Sequence, residues 1–301
     1  MGLDPELPGR NATWAFLPDR IEIVYSSSSG IPRLLRRIGQ RSVPLAAIAR
    51  AAVMHGDGAP VLSLRMHPGA DPHTEVAAGQ LAEDSELYRL ELDRGQSDLA
   101  EYYAEHIRLL TEQHATTWSE SDGFLLGAEP PPLHLRCFDA DAHLDADNLH
   151  LRWNADATPE KRAGGDRTYP LADLRDVEWV RPGAFSGQLS VRVKGESGDR
   201  PPAEEDPTTV LFGLGCGTVA DSLPFGASLL AGMRRHAAPA SSGALSGGRR
   251  TALDAGPQES RLATSVDEIA NAIRELGSLK EAGLLDDAEF QRKKQELLDR
   301  L

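Results

Sequence analysis

The feature that most constrains this chain is that it carries much the same text twice. "LPDRIEI" at 17–23 aligns with "DADNLHL" at 145–151, "RSVPLAAI" at 41–48 with "RTYPLADL" at 167–174, and "LSLR" at 62–65 with "LSVR" at 189–192. The displacements are 128, 126 and 127 residues, in the same order along the chain. Short matches at a nearly constant displacement define an internal repeat, so residues 13–114 and 140–237 are two copies of one unit. Whatever topology one copy adopts, the other must adopt as well.

Within each copy the apolar period is first two and then helical. Ile21 and Ile23, then Leu62, Leu64 and Met66, then Tyr88, Leu90 and Leu92 alternate with polar residues, and Leu149, Leu151 and Trp153, then Leu189, Val191 and Val193 do so in the second copy. Alternation of this kind marks half-buried strands. Each copy closes on an amphipathic helix: 97–115, with Leu99, Tyr103, His106, Ile107 and Leu110 on one face, and 223–237, with Phe225, Leu229, Leu230 and Met233. Trp14, Trp153 and Trp179 lie in or beside strands and are expected in the core, while Trp118 is expected to pack between the copies. The expectation is an α+β, mainly β protein in which each unit is a small curved sheet or barrel plugged by its helix.

"LYRLEL", "PRLLRRIGQRSVPL", "YYAEHIR" and "LRWN" followed by "RTYPLADLRDVEW" resemble the tandem-repeat domain-of-unknown-function family 4429 over about residues 10–237. That resemblance implies pleckstrin-homology-like units, each of seven strands and a capping helix, and it implies no activity. On this reading the repeats occupy 1–121 and 122–240. The charged "GESGDRPPAEED" at 195–206 reads as an insertion in the second copy.

Residues 241–262 continue an Ala, Ser, Gly and Pro stretch that begins at 238 and has too few large apolar groups to order itself, so it reads as a flexible linker. Beyond it, Val266, Ile269, Ile273, Leu276 and Leu279 recur at helical spacing, Gly283 interrupts, and Asp286 with Glu289 marks a second helix start. "LKEAGLLDDAEFQRKKQELL" closely resembles the short C-terminal domain, SHOCT, which assigns 263–301 to a helical hairpin. A hairpin this small does not sustain a core alone. Ile269, Ile273, Leu276, Leu284, Phe290 and Leu297 are therefore its expected assembly or docking residues, against a second copy, the repeats or a protein partner.

The formal net charge is −14, with no basic module of the kind that binds duplex phosphate, so no nucleic-acid partner is expected. Cys137 and Cys216 are isolated, which gives no disulfide or metal framework. The amino terminus lacks a secretory pattern and no run approaches a bilayer span, so the expected location is cytoplasmic. No catalytic motif emerges and no cofactor is expected. "GLGCGT" at 213–218 reads as a turn, "HPGADPH" at 67–73 as a solvated loop, and "DADAHLDADN" at 139–148 as an edge strand kept soluble by charge. Against the acidic background stand Arg33, Arg36, Arg37 and Arg41, in a stretch between Glu22 and Asp57 that has no acid. In a pleckstrin-homology-like unit that stretch is where an anionic lipid head group or phosphorylated ligand would bind. The alternative is an amphipathic turn with Leu34, Leu35 and Ile38 inside and the arginines outside.

Three functional expectations follow. The leading one is a non-enzymatic binding or scaffold protein whose C-terminal hairpin mediates self-association or partner docking. The second is a sensor of anionic lipid or phosphate, peripheral to the membrane, working through residues 26–50. The third is an enzyme with an unrecognised site.

Overall fold

The computed structural model describes residues 6–55, 59–113, 123–183, 187–196, 198, 200–213 and 215–237. The expectations for Trp118, for the linker 241–262 and for the six docking residues of 263–301 lie outside the described residues. Each copy is laid down as four strands, a corner, three strands and a helix. In the first copy β1 (Glu6–Pro8), β2 (Ala12–Phe16), β3 (Arg20–Tyr25) and β4 (Gln40–Pro44) form one antiparallel sheet in chain order, with the short helix α1 (Arg33–Ile38) between β3 and β4. Then β5 (Ile48–His55), β6 (Pro60–Met66) and β7 (Arg89–Glu91) form a second sheet, α2 (Pro72–Ala77) lies between β6 and β7, and α3 (Ser97–Gln113) follows. The second copy repeats the order: β8 (Leu133–Arg136), β9 (Ala140–Leu144), β10 (Asn148–Trp153), α4 (Pro159–Ala163) and β11 (Arg167–Pro170), then β12 (Leu174–Val180), β13 (Gln188–Val193), β14 (Thr209–Leu211) and α5 (Val219–Ala237).

The aligned "VPLAAI" and "YPLADL" make the corner between the two sheets. Pro44 and Pro170, at φ −57° and −58°, each start a 3-10 turn, at Leu45–Ala47 and Leu171–Asp173, because the ring fixes φ where the chain must leave the first sheet. A register shift follows at the same place in each copy, between Ile48 and Arg50 and between Leu174 and Asp176, and such a bulge sharpens the bend. Alternation does the rest: Ile21, Ile23 and Tyr25 point inward on β3, as Ala140, Ala142 and Leu144 do on β9.

The described residues are mostly β, in four sheets and five helices, and no closed barrel forms among them. The far edges of each copy's two sheets meet through a clasp instead of a ladder. Arg10 N donates to Glu91 O at 2.7 Å in one copy and Phe138 N to Leu211 O at 2.8 Å in the other.

Several expectations change. The inner face of α3 is Ala100, Tyr103 and Ile107, with Tyr103 stacked on Phe16 at 4.8 Å, and Leu99 lies outside at 37% exposure. α5 begins four residues earlier than its apolar run, because Thr218 and Asp221 pair at 2.6 Å and start the helix. Strand β9 is internal, between β8 and β10, so the acidic text at 139–148 is no edge strand. The segment 195–206 is no insertion either: the β13–β14 connection, 194–208, is shorter than the β6–β7 connection, 67–88, which holds α2. Trp14 and Trp179 are fully buried, while Trp153 is half-buried with its indole N–H donating to Gly165 O at 3.0 Å.

The extra helix joins the copies. α2 of the first copy packs on α5 of the second, and one connected apolar cluster runs through both. Gln80 Nε2 donates to Trp179 O at 2.7 Å and its Oε1 accepts from Arg181 N at 3.1 Å. Arg234 donates to Gly69 O at 3.1 Å with its guanidinium 4.0 Å from the Phe124 ring centre. At the closest approach α5 has Gly226, where an added Cβ would stand 3.0 Å from Val76 and 3.4 Å from Leu189. A leucine there must displace α2 or β13, so Gly226→Leu is expected to lower stability by about 1–3 kcal/mol, read by denaturant unfolding. Unchanged stability would mean that α2 and α5 separate freely.

Candidate functional site

The basic stretch folds as its amphipathic pattern dictates. Leu34 and Leu35 of α1 are buried, Ile38 is half-buried, and the three helix arginines lie on the outer side. Two of them face the second copy's half of the molecule: Arg37 pairs with Glu129 at 2.9 Å and Arg33 approaches Asp221 of α5 at 4.0 Å. Arg36 Nε donates to Ile31 O at 3.0 Å. The fourth, Arg41, is elsewhere. It sits on β4 with its side chain only 6% exposed and points into the protein, so the structure groups Arg33, Arg36 and Arg37 and parts Arg41 from them.

Arg41 anchors a buried polar cluster. One terminal nitrogen donates to Asp71 Oδ1 at 2.7 Å and the other to His73 Nδ1 at 3.1 Å. Since guanidinium can only donate, Nδ1 accepts and the imidazole proton belongs on Nε2. Asp71, fully buried, is the N-cap of α2: it accepts from His73 N, Thr74 N and Thr74 Oγ1, and its Oδ2 also accepts from the Tyr88 hydroxyl at 2.8 Å. Burial alone would raise the Asp71 carboxyl, but the Arg41 guanidinium and the surrounding donors outweigh it and hold the group well below the usual carboxylate range. Burial, and then the Arg41 charge, push the His73 imidazole below its ordinary value. Burial beside Asp71 pushes the Tyr88 phenol up. The "HPGADPH" text is therefore no solvated loop: Asp71 and His73 are interior groups that fix the helix joining the two copies.

The second copy shows a different buried pair. Lys161 Nζ meets Asp139 Oδ2 at 2.7 Å and Thr209 O at 2.8 Å, both side chains nearly inaccessible, and Asp139 Oδ1 accepts from Leu211 N at 2.8 Å. The first copy performs the same clasp with one amide: Asn11 Oδ1 accepts from Glu91 N at 2.9 Å and its Nδ2 donates to Arg89 O at 2.8 Å. Asn11 and Asp139 hold equivalent places. Leu35 and Lys161 are each the third residue of the helix between the third and fourth strands of their copy, and each is buried. Replacing the amide by a carboxylate removes a donor, and the ammonium supplies it.

On the outer face of the second copy, His134, His143 and His150 face one another across β8, β9 and β10. His150 is taken up by Asp145, at 2.8 Å, and Thr168, at 3.0 Å; this contact, with backbone N–H donors, lowers the Asp145 carboxyl to about 2. Among the described residues no group of three or more His, Cys, Asp or Glu is placed to hold a metal, and no helix is long and apolar enough to cross a membrane. The turn expected at "GLGCGT" is present, with Gly213 and Cys216 bridged and Gly217 at φ +64° against the Phe212 ring.

A family model described as a domain of unknown function (DUF4429) matches residues 14–108 and 142–229, and one described as a short C-terminal domain (SHOCT) matches 271–298. No curated protein matches the chain.

Two outcomes follow from the buried groups. Lys161→Leu strands the Asp139 carboxylate and is expected to cost about 3–5 kcal/mol. Adding Asp139→Asn restores the first copy's chemistry and should recover most of that loss in denaturant unfolding; a merely additive double variant would refute the equivalence. The second outcome concerns acid. His73 stays neutral when folded, whereas the unfolded chain takes up its proton below the ordinary value of 6.5, and Asp71 stays ionised while the unfolded carboxyl protonates below 3.8. In both windows the unfolded state binds more protons, so stability falls with pH. The melting temperature should decline below about pH 6.5 and more steeply below about pH 4, and His73→Gln should flatten the upper part. An equal decline in the variant would exclude His73 as the cause.

Proposed function

The chain belongs to the DUF4429 family, carrying that domain twice, and on this premise we propose that it is a non-enzymatic binding or scaffold protein. Its two pleckstrin-homology-like units act as one body, and its SHOCT segment is the element that assembles or docks. The arrangement of four strands, a corner, three strands and a closing helix in each copy supports the pleckstrin-homology-like reading. The observation that carries the function is the joint itself. α5 is buried both by its own sheets and by α2, so the copies hold a fixed mutual geometry. A fixed platform is what a scaffold supplies, and the apolar stripe expected in the C-terminal segment is the element tethered to it. The buried charges of the repeats support the same reading, because Arg41, Asp71, Asp139 and Lys161 are all occupied in holding strands and helices together.

A SHOCT segment carried on a stretch of small and polar residues has a high effective concentration near any copy or partner it can reach. Truncating two buried anchors costs about 2–5 kcal/mol each where packing cannot relax. Leu276→Ala with Phe290→Ala is therefore expected to convert an oligomer to monomer, or to release a partner, in sedimentation and pull-down measurements, with the thermal unfolding of the repeats unchanged. A wild-type chain that is monomeric and partnerless, with a double variant that destabilises the repeats, would overturn the assembly reading.

A further inference from the structure

We propose that Cys137 and Cys216 are a modification site, a thiol pair that a peroxide converts to an intramolecular disulfide; the inference stands apart from the assembly reading. These are the chain's two cysteines, and they lie far apart in the sequence. Folding brings both to one end of the second copy.

The backbone makes the juxtaposition. Cys137 lies in the turn from β8 to β9, and the peptides on either side of it are fastened to the chain that leads into α5: Phe138 N donates to Leu211 O at 2.8 Å, and Arg136 O accepts from Gly217 N at 2.9 Å. Cys216 adjoins Gly217, and it is held back against Gly213 by a pair of backbone bonds of 2.9 and 3.1 Å. Each cysteine is therefore the immediate neighbour of one partner in the Arg136–Gly217 bond. The thiols are close enough to interact electrostatically: burial, then the charges of Asp139, Cys216 and Asp141, push the Cys137 thiol well above its ordinary value, against the pull of Lys161.

The duplication shows that the clasp itself needs no thiol. Gly9 holds the place of Cys137, its N–H donating to Ala12 O at 2.8 Å as the Cys137 N–H does to Ala140 O at 2.8 Å. A Cβ added at Gly9 would stand 2.5 Å from Leu90 Cδ1. On β14 the matching residue is Val210, paired with Leu189 as Leu90 is with Leu62, and the shorter side chain leaves room for the one at Cys137. Glycine suffices for the turn, so the thiol is an addition of the second copy.

Accessibility sets the order of the chemistry. Cys137 is 1% exposed, its Sγ donating weakly to Leu135 O at 3.8 Å, whereas Cys216 is half-buried. A peroxide therefore meets Cys216 first. The Cys216 sulfur attacks one peroxide oxygen, the O–O bond breaks, and a sulfenic acid forms while the other oxygen leaves as water. The Cys137 sulfur then attacks the Cys216 sulfur, the S–O bond breaks, and the departing hydroxide takes the Cys137 proton as a second water. Two thiols lose two electrons and two hydrogens, and hydrogen peroxide is reduced to two waters. The bond formed ties the turn ahead of α5 to the β8–β9 turn, beside Asp139 and its clasp.

The test treats the full chain with hydrogen peroxide, unfolds it in an alkylating maleimide, and measures the intact mass and the joined peptides. The expected product is a chain lighter by two hydrogens, carrying no maleimide, in which the peptides of Cys137 and Cys216 are linked, and dithiothreitol should reverse it. Two maleimides per chain, Cys216 linked to another molecule, or Cys216 halted at sulfenic or sulfinic acid with Cys137 alkylated would each overturn the pairing. Cys216→Ser changes a half-buried side chain outside the core, and in that variant Cys137 should survive the peroxide and take up maleimide. Loss of the Cys137 thiol there as fast as in the wild-type chain would overturn the order of attack and with it the role of Cys216.

Discussion

One helix has to be hidden on two sides, and much of the molecule is arranged around that requirement. α5 buries eleven of its nineteen residues, among them Ala220, Ser222, Gly226, Ala227, Ser228 and Gly232. Small residues let neighbouring backbones approach closely, and the serine hydroxyls turn back to their own helix, Ser228 Oγ donating to Pro224 O at 2.9 Å and Ser222 Oγ to Thr218 O at 2.8 Å. Ser222 also accepts the Trp179 indole N–H at 3.0 Å, so the largest buried side chain of β12 is tied to the same helix. The two serine hydroxyls and the Trp179 indole N–H are thereby all paired, which is the condition for burying such groups.

Around that joint the two copies solve one backbone problem with different side chains. Strand β7 and strand β14 are short and lie at the end of a sheet, and their peptide groups need partners from the loop between the first two strands of their copy. Asn11 provides both a donor and an acceptor, whereas Asp139 provides acceptors alone and Lys161 completes the set. Each copy also buries an aspartate in the connection before its last strand. Asp71 holds the start of α2, and Asp206 accepts from Thr208 N at 2.8 Å and from Thr209 Oγ1 at 3.0 Å. The interior charges are thus fastenings for irregular chain, where backbone groups would otherwise be stranded.

What the sequence discloses depends on the range of the interaction. Strand alternation around Ile21, Leu62, Leu149 and Leu189 is written locally, and the Pro-Leu-Ala text is shared by both copies, so several strands and the repetition are legible from residues alone, while the corner and the splitting of each copy into two sheets are not. Nor is the burial of Asp71 and His73. Their partner Arg41 lies 30 and 32 positions away, and nothing within "HPGADPH" distinguishes an interior N-cap from an exposed turn. The outward phase of Leu99 is equally hidden, because Leu99 and Ala100 are both apolar and only the ring stack of Phe16 on Tyr103 fixes which face turns in. The exchange of Asn11 and Leu35 for Asp139 and Lys161 is present in the text, yet it carries meaning only once those positions are known to be neighbours.

The helix that joins the copies exists in one of them only, and that gives the duplication a polarity. The first copy carries the plug, α2, and the second supplies the socket, the flank of α5. The second copy's shorter connection, 194–208, shows no such helix among its described residues. Unlike stacked helical repeats, which lengthen by reusing one interface, this pair is joined by a contact whose two halves differ, α2 from the first copy and α5 from the second. A third unit set beside the second copy would have to be held by a contact other than this plug and socket.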